Sequence, residues 1–312
     1  MKHDLLRGKK GIVFGPLDAS SLGWQIALAA HGEGAELAIS NTPIAFRLGK
    51  PHELAALCGN ALLVPCDATD QDDIDRCFAM IRDSFGKIDF IVHAIGMSPN
   101  IRKGISYQDL NYEWYHKTLD VSGLSFHRII ASALSHEVLN NGASILALSY
   151  LAAQRSFSTY TDMAEAKALL ESVARNFGSR LGARGIRINT VSQSPTKTKA
   201  GSGIEDFDKL YRFTDMLAPL GNATAEECGE YCVTLLSDLT RKVTMQNLMH
   251  DGGFSNMGMT QPMLRIFDAQ LTDQALRSAG FDDNVIERTM SEVRAREVAS
   301  LLLDPEAETA LS

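Results

Sequence analysis

The sequence predicts an α/β fold: a Rossmann-type, doubly wound parallel sheet of about seven strands, followed by a C-terminal helical extension. Three observations point there. Short apolar runs alternate with stretches of helical periodicity as far as residue 260, the pattern of βαβ units. Glycines and polar turn residues stand at the ends of the apolar runs. Beyond that point no strand candidate occurs, and the predicted division is 1–260 for the sheet domain and 261–312 for the extension.

The first strand runs from Gly11 to Phe14, with Gly15 behind it. A helix starts near Ser21 and carries Trp24, Ile26, Ala27, Leu28 and Ala30; Gly32 and Gly34 close it, as glycines past a helix end do. Glu36 to Ser40, Leu62 to Pro65 and Ile88 to Ala94 supply the next three strands. Asp70 to Phe85 is helical, with Ile74, Phe78 and Ile81 on one face. Tyr112 to Leu139 reads as one long helix, Ser144 to Ser149 as a strand, Thr161 to Leu181 as a helix and Ile186 to Val191 as a strand. Helices near Ile204 to Met216 and Ala225 to Leu236 precede a last strand, Val243 to Met249, closed by Asp251-Gly252-Gly253. In the extension, Asp283 to Leu303 places Ile286, Met290, Val293 and Leu301 at helical spacing.

Composition removes several function classes. The 312 residues carry a formal net charge of -8, which argues against nucleic acid or an anionic membrane surface held by a general positive field. No segment approaches the ~20 apolar residues of a membrane span, and MKHDLLRGKKGIVFG lacks the apolar run of a signal peptide. Cys58, Cys66, Cys77, Cys228 and Cys232 lack zinc-site spacing; Cys228 and Cys232 read as small apolar residues on one helix face. The expectation is a cytoplasmic protein with no metal, no membrane and no nucleic acid.

In a doubly wound sheet ligands bind outside the carboxyl ends of the strands, where strand order reverses. The turn after the first strand is Gly15-Pro16-Leu17-Asp18-Ala19-Ser20-Ser21-Leu22-Gly23, which is not GxGxxG. Its serines can cap the helix and donate to a phosphate. Asp67 and Ala68 follow the third strand, where a carboxylate either accepts from an adenine amino group or caps the next helix. Ile95 and Gly96 follow the fourth, and the glycine lets the chain pass close to a ribose or nicotinamide. The second strand ends in Ser40-Asn41-Thr42, without the acid that holds an NAD ribose. Arg47 is the nearest cation, but no basic cluster sits at the strand end, so NADH is favoured and NADPH stays possible.

Tyr160 and Lys167 follow the fifth strand, seven residues apart. On a helix that step nearly closes two turns, so both can face one cleft. A nearby ammonium favours the phenolate and strengthens hydrogen bonding to a developing oxyanion.

Here the sequence resembles the short-chain dehydrogenase/reductase superfamily and, within it, the enoyl-[acyl-carrier-protein] reductases. Most members of the superfamily use Tyr-x3-Lys, but the residue four before Lys167 is Met163. The enoyl reductases use Tyr-x6-Lys with a second tyrosine ten residues upstream, matched by Tyr150, Tyr160, Met163 and Lys167. Ser21-Leu22, His93-Ala94-Ile95-Gly96, Gly185 to Asn189, Pro195-Thr196-x-Thr198, Ala200 to Ile204 and His250 to Phe254 fit as well. The resemblance covers about residues 6 to 258.

The resemblance implies reduction of the double bond of a trans-2-enoyl thioester on acyl carrier protein, in fatty-acid biosynthesis, by a homotetramer. Tyr160 would hold the enolate oxygen, Lys167 the cofactor ribose, and Tyr150 would lie beside the thioester. Gly15, Ser21, Leu22, Asp67, Ala68, Ile95, Gly96 and Thr196 would touch the cofactor, Ser98 the substrate, and residues 196–213 would form a lid. The sequence departs from its relatives on the lid helix, where Glu205, Asp206 and Asp208 leave only Lys209 and Arg212 to meet an acidic carrier. Arg102, Lys103, Lys197 and Lys199 are the alternatives. Two other readings compete. A ketone or alcohol oxidoreductase prefers a serine about thirteen residues before its tyrosine, where this chain has Ala147. A sensor that binds the dinucleotide without catalysis has no need to keep both Tyr160 and Lys167.

Overall fold

The computed structural model describes residues 3–199, 201, 204 and 206–302. Ala200, Ser202, Gly203, Glu205 and Leu303, each part of an expectation above, lie outside the described residues. The chain divides into two compact units, Met1–Asn256 and a second beginning at Met257.

The first unit is built on seven strands: β1 Lys10–Phe14, β2 Glu36–Asn41, β3 Leu62–Pro65, β4 Ile88–His93, β5 Leu139–Ser149, β6 Arg187–Gln193 and β7 Asn247–His250. Every pairing is parallel, in the order β3-β2-β1-β4-β5-β6-β7. The order reverses between β1 and β4, so the chain leaves these neighbouring strands in opposite directions and opens a crevice there. Among the described residues ten helices join the strands: α1 Leu22–Gly32, α2 Pro43–Leu48, α3 Pro51–Leu57, α4 Gln71–Phe85, α5 Pro99–Arg102, α6 Tyr112–Leu119, α7 Ser125–Ser135, α8 Thr161–Leu181, α9 Phe207–Leu217 and α10 Ala225–Leu236.

Both faces of the sheet are covered, which explains why the strands read as apolar runs rather than alternations. On one face Phe78, Phe126 and Leu170, from α4, α7 and α8, are fully buried against the sheet. On the other, Trp24 and Ile26 of α1 pack with Cys228 and Cys232 of α10, and both cysteines are buried core residues.

The largest boundary differences from the sequence pattern fall at three places. Tyr112 to Leu139 is not one helix. A single π-helical turn, Asp120–Leu124, separates α6 from α7, and the helix stops at Ser135. Glu137 then takes a positive φ of 55°, and β5 starts at Leu139, earlier than Ser144. The last strand starts at Asn247 rather than Val243, because Met245 sits at φ 62° in the preceding turn.

The second unit holds α11 Gln261–Gln270, α12 Asp273–Ser278 and α13 Asp283–Leu302. Leu276 and Ile286 are buried in it, and Thr260 and Thr272 cap the first two helices.

Candidate active site

A cavity of about 870 Å³ opens at the carboxyl edge of the sheet, over the β1–β4 reversal. It is lined by Gly15, Leu22, Asp67, Gly96, Tyr160 and Lys167, among others, so residues far apart in the sequence converge on one space. Ser21, Ala68, Ile95, Ser98, Tyr150 and Thr196 line it too.

Gly15 makes the first turn possible. Its φ is +103°, and a Cβ there would lie 2.3 Å from the Ala94 carbonyl oxygen, so no side chain fits. The turn is braced from within. Ser20 N and Oγ both donate to Asp18 Oδ1, at 3.0 and 2.6 Å. Ser21 stands at the N-cap of α1, but its hydroxyl donates to the Asp18 carbonyl (2.7 Å) instead of accepting from the helix. The α1 N-terminus is therefore not capped by its own serine. At the end of β3, Asp70 rather than Asp67 caps α4, accepting from Asp73 N at 2.9 Å. Asp67 uses Oδ1 for Thr69, and Oδ2 has no partner among the described residues. Arg47, on α2, is exposed and does not line the cavity.

The other end of the cavity is aromatic. Tyr160 occupies the residue before α8, and its ring lies 4.8 Å from that of Tyr150. Tyr150 is buried at 9% exposure, and its hydroxyl lacks a partner among the described residues. Burial pushes both phenols above their ordinary pKa. Lys167 is itself buried at 6% exposure and donates from Nζ to the Leu148 carbonyl at 2.7 Å. Burial lowers its pKa to about 8, with Glu171 opposing. A Cβ on Gly96 would lie 3.6 Å from that ammonium, so residue 96 stands within direct contact distance of it. Below Lys167, His93 is fully buried and its pKa falls to about 3, through burial first and the lysine second. Ser125 Oγ donates to the Val121 carbonyl at 2.7 Å, so His93 Nε2, 2.8 Å away, is the donor to Ser125 and Nδ1 is the bare acceptor.

A third group, Asp162, carries no mark in the sequence. It is fully buried at the start of α8 and accepts from Ser98 Oγ (2.7 Å), Asn100 Nδ2 (2.8 Å) and Thr161 Oγ1 (3.2 Å); Thr118 Oγ1 lies 2.7 Å from it. Thr161 holds φ at +21°, a conformation that β-branched residues avoid, directly beside Tyr160. The network also engages Ser98. That residue lines the cavity, and its hydroxyl donates to Asp162 and accepts from Ile101 N at 3.1 Å, which leaves it one acceptor lone pair. An aspartate in a first helical turn reads as an exposed partner for the helix dipole, and no local pattern distinguishes this one as buried.

On the lid side, Thr196 donates to the Ser194 carbonyl at 3.0 Å. Lys199 reaches across to Asp18 Oδ2 at 2.6 Å. Burial raises the Asp18 carboxyl, but hydrogen bonds from Lys199 and Ser20 outweigh it and hold the group below its ordinary range. The lid helix α9 begins at Phe207, three residues later than the Ile204 of the sequence pattern.

A doubly wound parallel sheet whose carboxyl edge presents a tyrosine and a buried lysine beside a dinucleotide-sized cavity defines a short-chain dehydrogenase/reductase. Comparison with known proteins narrows this. The model of the enoyl-(acyl carrier protein) reductase family matches residues 15–255, and the chain belongs to that family. It is 37% identical over 256 residues to enoyl-[acyl-carrier-protein] reductase [NADH] 1 of Rhizobium meliloti, covering 82% of this chain and 93% of that one. The FabI enzyme of Salmonella typhimurium, also named as NADH-dependent, is 34% identical over 83% of this chain and 99% of its own. Among solved structures, the FabI–NADH complex from Alistipes finegoldii superposes with a TM-score of 0.81 at 52% identity, over 83% of this chain and 92% of that one.

Proposed function

We propose that this chain reduces the double bond of a trans-2-enoyl thioester carried on acyl carrier protein, with NADH, in fatty-acid biosynthesis. The observation that carries the reading is the Tyr150–Tyr160 pair. Two phenols lie ring to ring at 4.8 Å in a cavity that the buried Lys167 also lines, with Met163 where a ketoreductase places its tyrosine and apolar Ala147 where it places its serine.

The cavity fits NADH on its own geometry. Gly15 lets the first turn pass against the Ala94 carbonyl, Gly96 lines the cavity beside Lys167, and the N-terminus of α1, with no side-chain cap from Ser21, faces the place of a pyrophosphate. Ser21 and Leu22 would flank that pyrophosphate, Asp67 and Ala68 the adenine, and Ile95, Gly96 and Thr196 the nicotinamide half. Lys167 would donate to the ribose hydroxyls. Bound there, NADH supplies the hydride that the β-carbon receives.

The chain's own residues do the rest. The Tyr160 hydroxyl donates to the thioester oxygen as negative charge builds on it. Because burial raises its pKa, it stays a hydrogen-bond donor and holds the enolate without surrendering its proton. Tyr150, whose buried hydroxyl has no partner among the described residues, gains one beside the thioester. Protonation of the α-carbon completes the saturated product. The described residues of the 196–213 stretch would cover the site. The same reading makes the protein a cytoplasmic homotetramer, with residues 261–312 as a helical appendage. Five free, buried cysteines suit a reducing compartment, and no described helix is long and apolar enough to cross a membrane.

The test is turnover of a crotonyl thioester with NADH and with NADPH, followed by loss of the reduced cofactor's absorbance. NADH oxidation is expected. Turnover of a ketone but of no enoyl thioester would overturn the reading, as would cofactor binding with no turnover at all.

A further inference from the structure

Resting on that activity, we propose that Arg102 and Lys117 form a phosphate-binding rim, which takes the phosphate on the flexible arm that carries the thioester. Both side chains line the same cavity as Tyr160. Both are exposed, and neither has an ion-pair or hydrogen-bond partner among the described residues.

The two cations are carried on a rigid frame. Arg102 ends α5, four residues after Ser98, and Lys117 precedes Thr118 on α6. Ser98, Asn100 and Thr118 all meet the carboxylate of Asp162, which is fully buried two residues after Tyr160. Asn100 also joins the two helices, donating to the Asn111 carbonyl (3.2 Å) and accepting from Asn111 N (3.1 Å). One buried anion thus anchors both cation-bearing segments to the turn that holds Tyr160. Positive charge held at the mouth of a reaction cavity suits an anion fixed part-way along a substrate's tether. Lys103, exposed beside Arg102, adds to the field. The acids nearest in sequence are Asp120, which pairs with Arg128, Glu113, and Asp109, which is bonded to Ser106.

The opposite side of the mouth is a poor alternative. On the lid, Lys209 pairs with Asp206 at 2.8 Å, Lys199 with Asp18 at 2.6 Å, and Lys197 lies over the Tyr211 ring at 4.5 Å. Among the described lid residues this leaves Arg212 to face an anion, beside exposed Asp208. Three of the four described lid cations are therefore already engaged, whereas those of the α5–α6 rim are not.

The test compares wild type with an Arg102→Gln/Lys117→Gln double variant on three crotonyl thioesters: carrier-protein-bound, coenzyme A-bound and N-acetylcysteamine-bound. The first two carry a phosphate on the arm and the third does not. The expected result is a KM raised roughly tenfold for both phosphate-bearing substrates, with kcat kept. The KM for the N-acetylcysteamine thioester should stay within about twofold, because exposed cations add little to an uncharged ligand. A rise for the carrier-bound substrate alone would overturn the phosphate assignment in favour of the carrier's protein surface. Equal losses on all three, or no change on any, would overturn the rim itself. A wild-type enzyme inactive on all three would instead count against the proposed function.

Discussion

Lys167 Nζ donates to the Leu148 carbonyl at 2.7 Å, which ties the buried ammonium to the end of β5 while leaving it open toward Gly96. An ammonium with one protein acceptor and 6% exposure is poorly solvated, and its pKa of about 8 reports that cost. The site trades stability for a donor aimed at a ligand.

Lys167→Met should therefore abolish measurable NADH binding and yet stabilise the ligand-free protein, by roughly 1–2 kcal/mol at neutral pH. Cofactor titration and thermal unfolding of the apo protein check the two halves. A variant that loses both affinity and stability would show the lysine to be structural.

The same lysine gives binding a pH dependence of definite sign. Lys167 has its pKa lowered, so the ammonium form is present below about 8 and lost above it. NADH affinity should be flat below that value and fall as pH rises through it, measured by fluorescence titration on the free enzyme. The Lys167→Met variant should show no such inflection.

Tyr160→Phe removes the donor to the developing oxyanion and nothing else. The expected loss in kcat is on the order of 10²–10³-fold, with NADH affinity unchanged. Tyr150→Phe deletes a hydroxyl that has no partner among the described residues, so it should leave stability unchanged or slightly higher and act on turnover alone. Steady-state kinetics beside cofactor titration separates the two.

Asp162→Ala should destabilise the fold by roughly 2–4 kcal/mol, since it leaves the hydroxyl of Ser98 and the amide of Asn100 buried without their acceptor. Asp162→Asn keeps one acceptor oxygen and should recover part of the loss. Chemical denaturation measures both.

Cofactor choice should favour NADH over NADPH by at least about tenfold in kcat/KM. At the end of β2 both amide groups of Asn41 are committed, to the Pro16 carbonyl and to Thr42 N, each at 2.8 Å. Among the described residues no cation there awaits a 2′-phosphate, and Arg47 faces solvent.

What can be read in advance is whatever repeats locally. β3, α8 and α10 fall at their expected bounds because an apolar run or a helical period declares itself within a dozen residues. The Tyr160–Lys167 spacing is equally local. The pattern misleads where one backbone angle decides the path, as at Glu137 and Met245, whose positive φ values end an apolar pattern that otherwise continues. The hydrogen bonding of Ser98 is hidden for a different reason: its partner, Asp162, lies 64 residues away, and burial of a carboxylate is a tertiary fact. Ser21 sits where a capping serine belongs, but Asp18, three residues earlier, offers its carbonyl to the hydroxyl instead.

The π-helical turn at Asp120–Leu124 sets the angular phase of α6 relative to α7. Downstream of it Ser125 meets His93; within it Ser122 accepts from Met97 N at 2.9 Å; upstream, Thr118 meets Asp162. Deleting one residue from the turn would restore a regular α-helix and rotate the upstream segment by ~100° relative to the downstream one. Thr118 and Lys117 would swing off the cavity while Ser125 stayed in place. The extra residue acts as a gear tooth: it lets one continuous helical path keep one face in register with the Asp162 network and another with the buried end of β4.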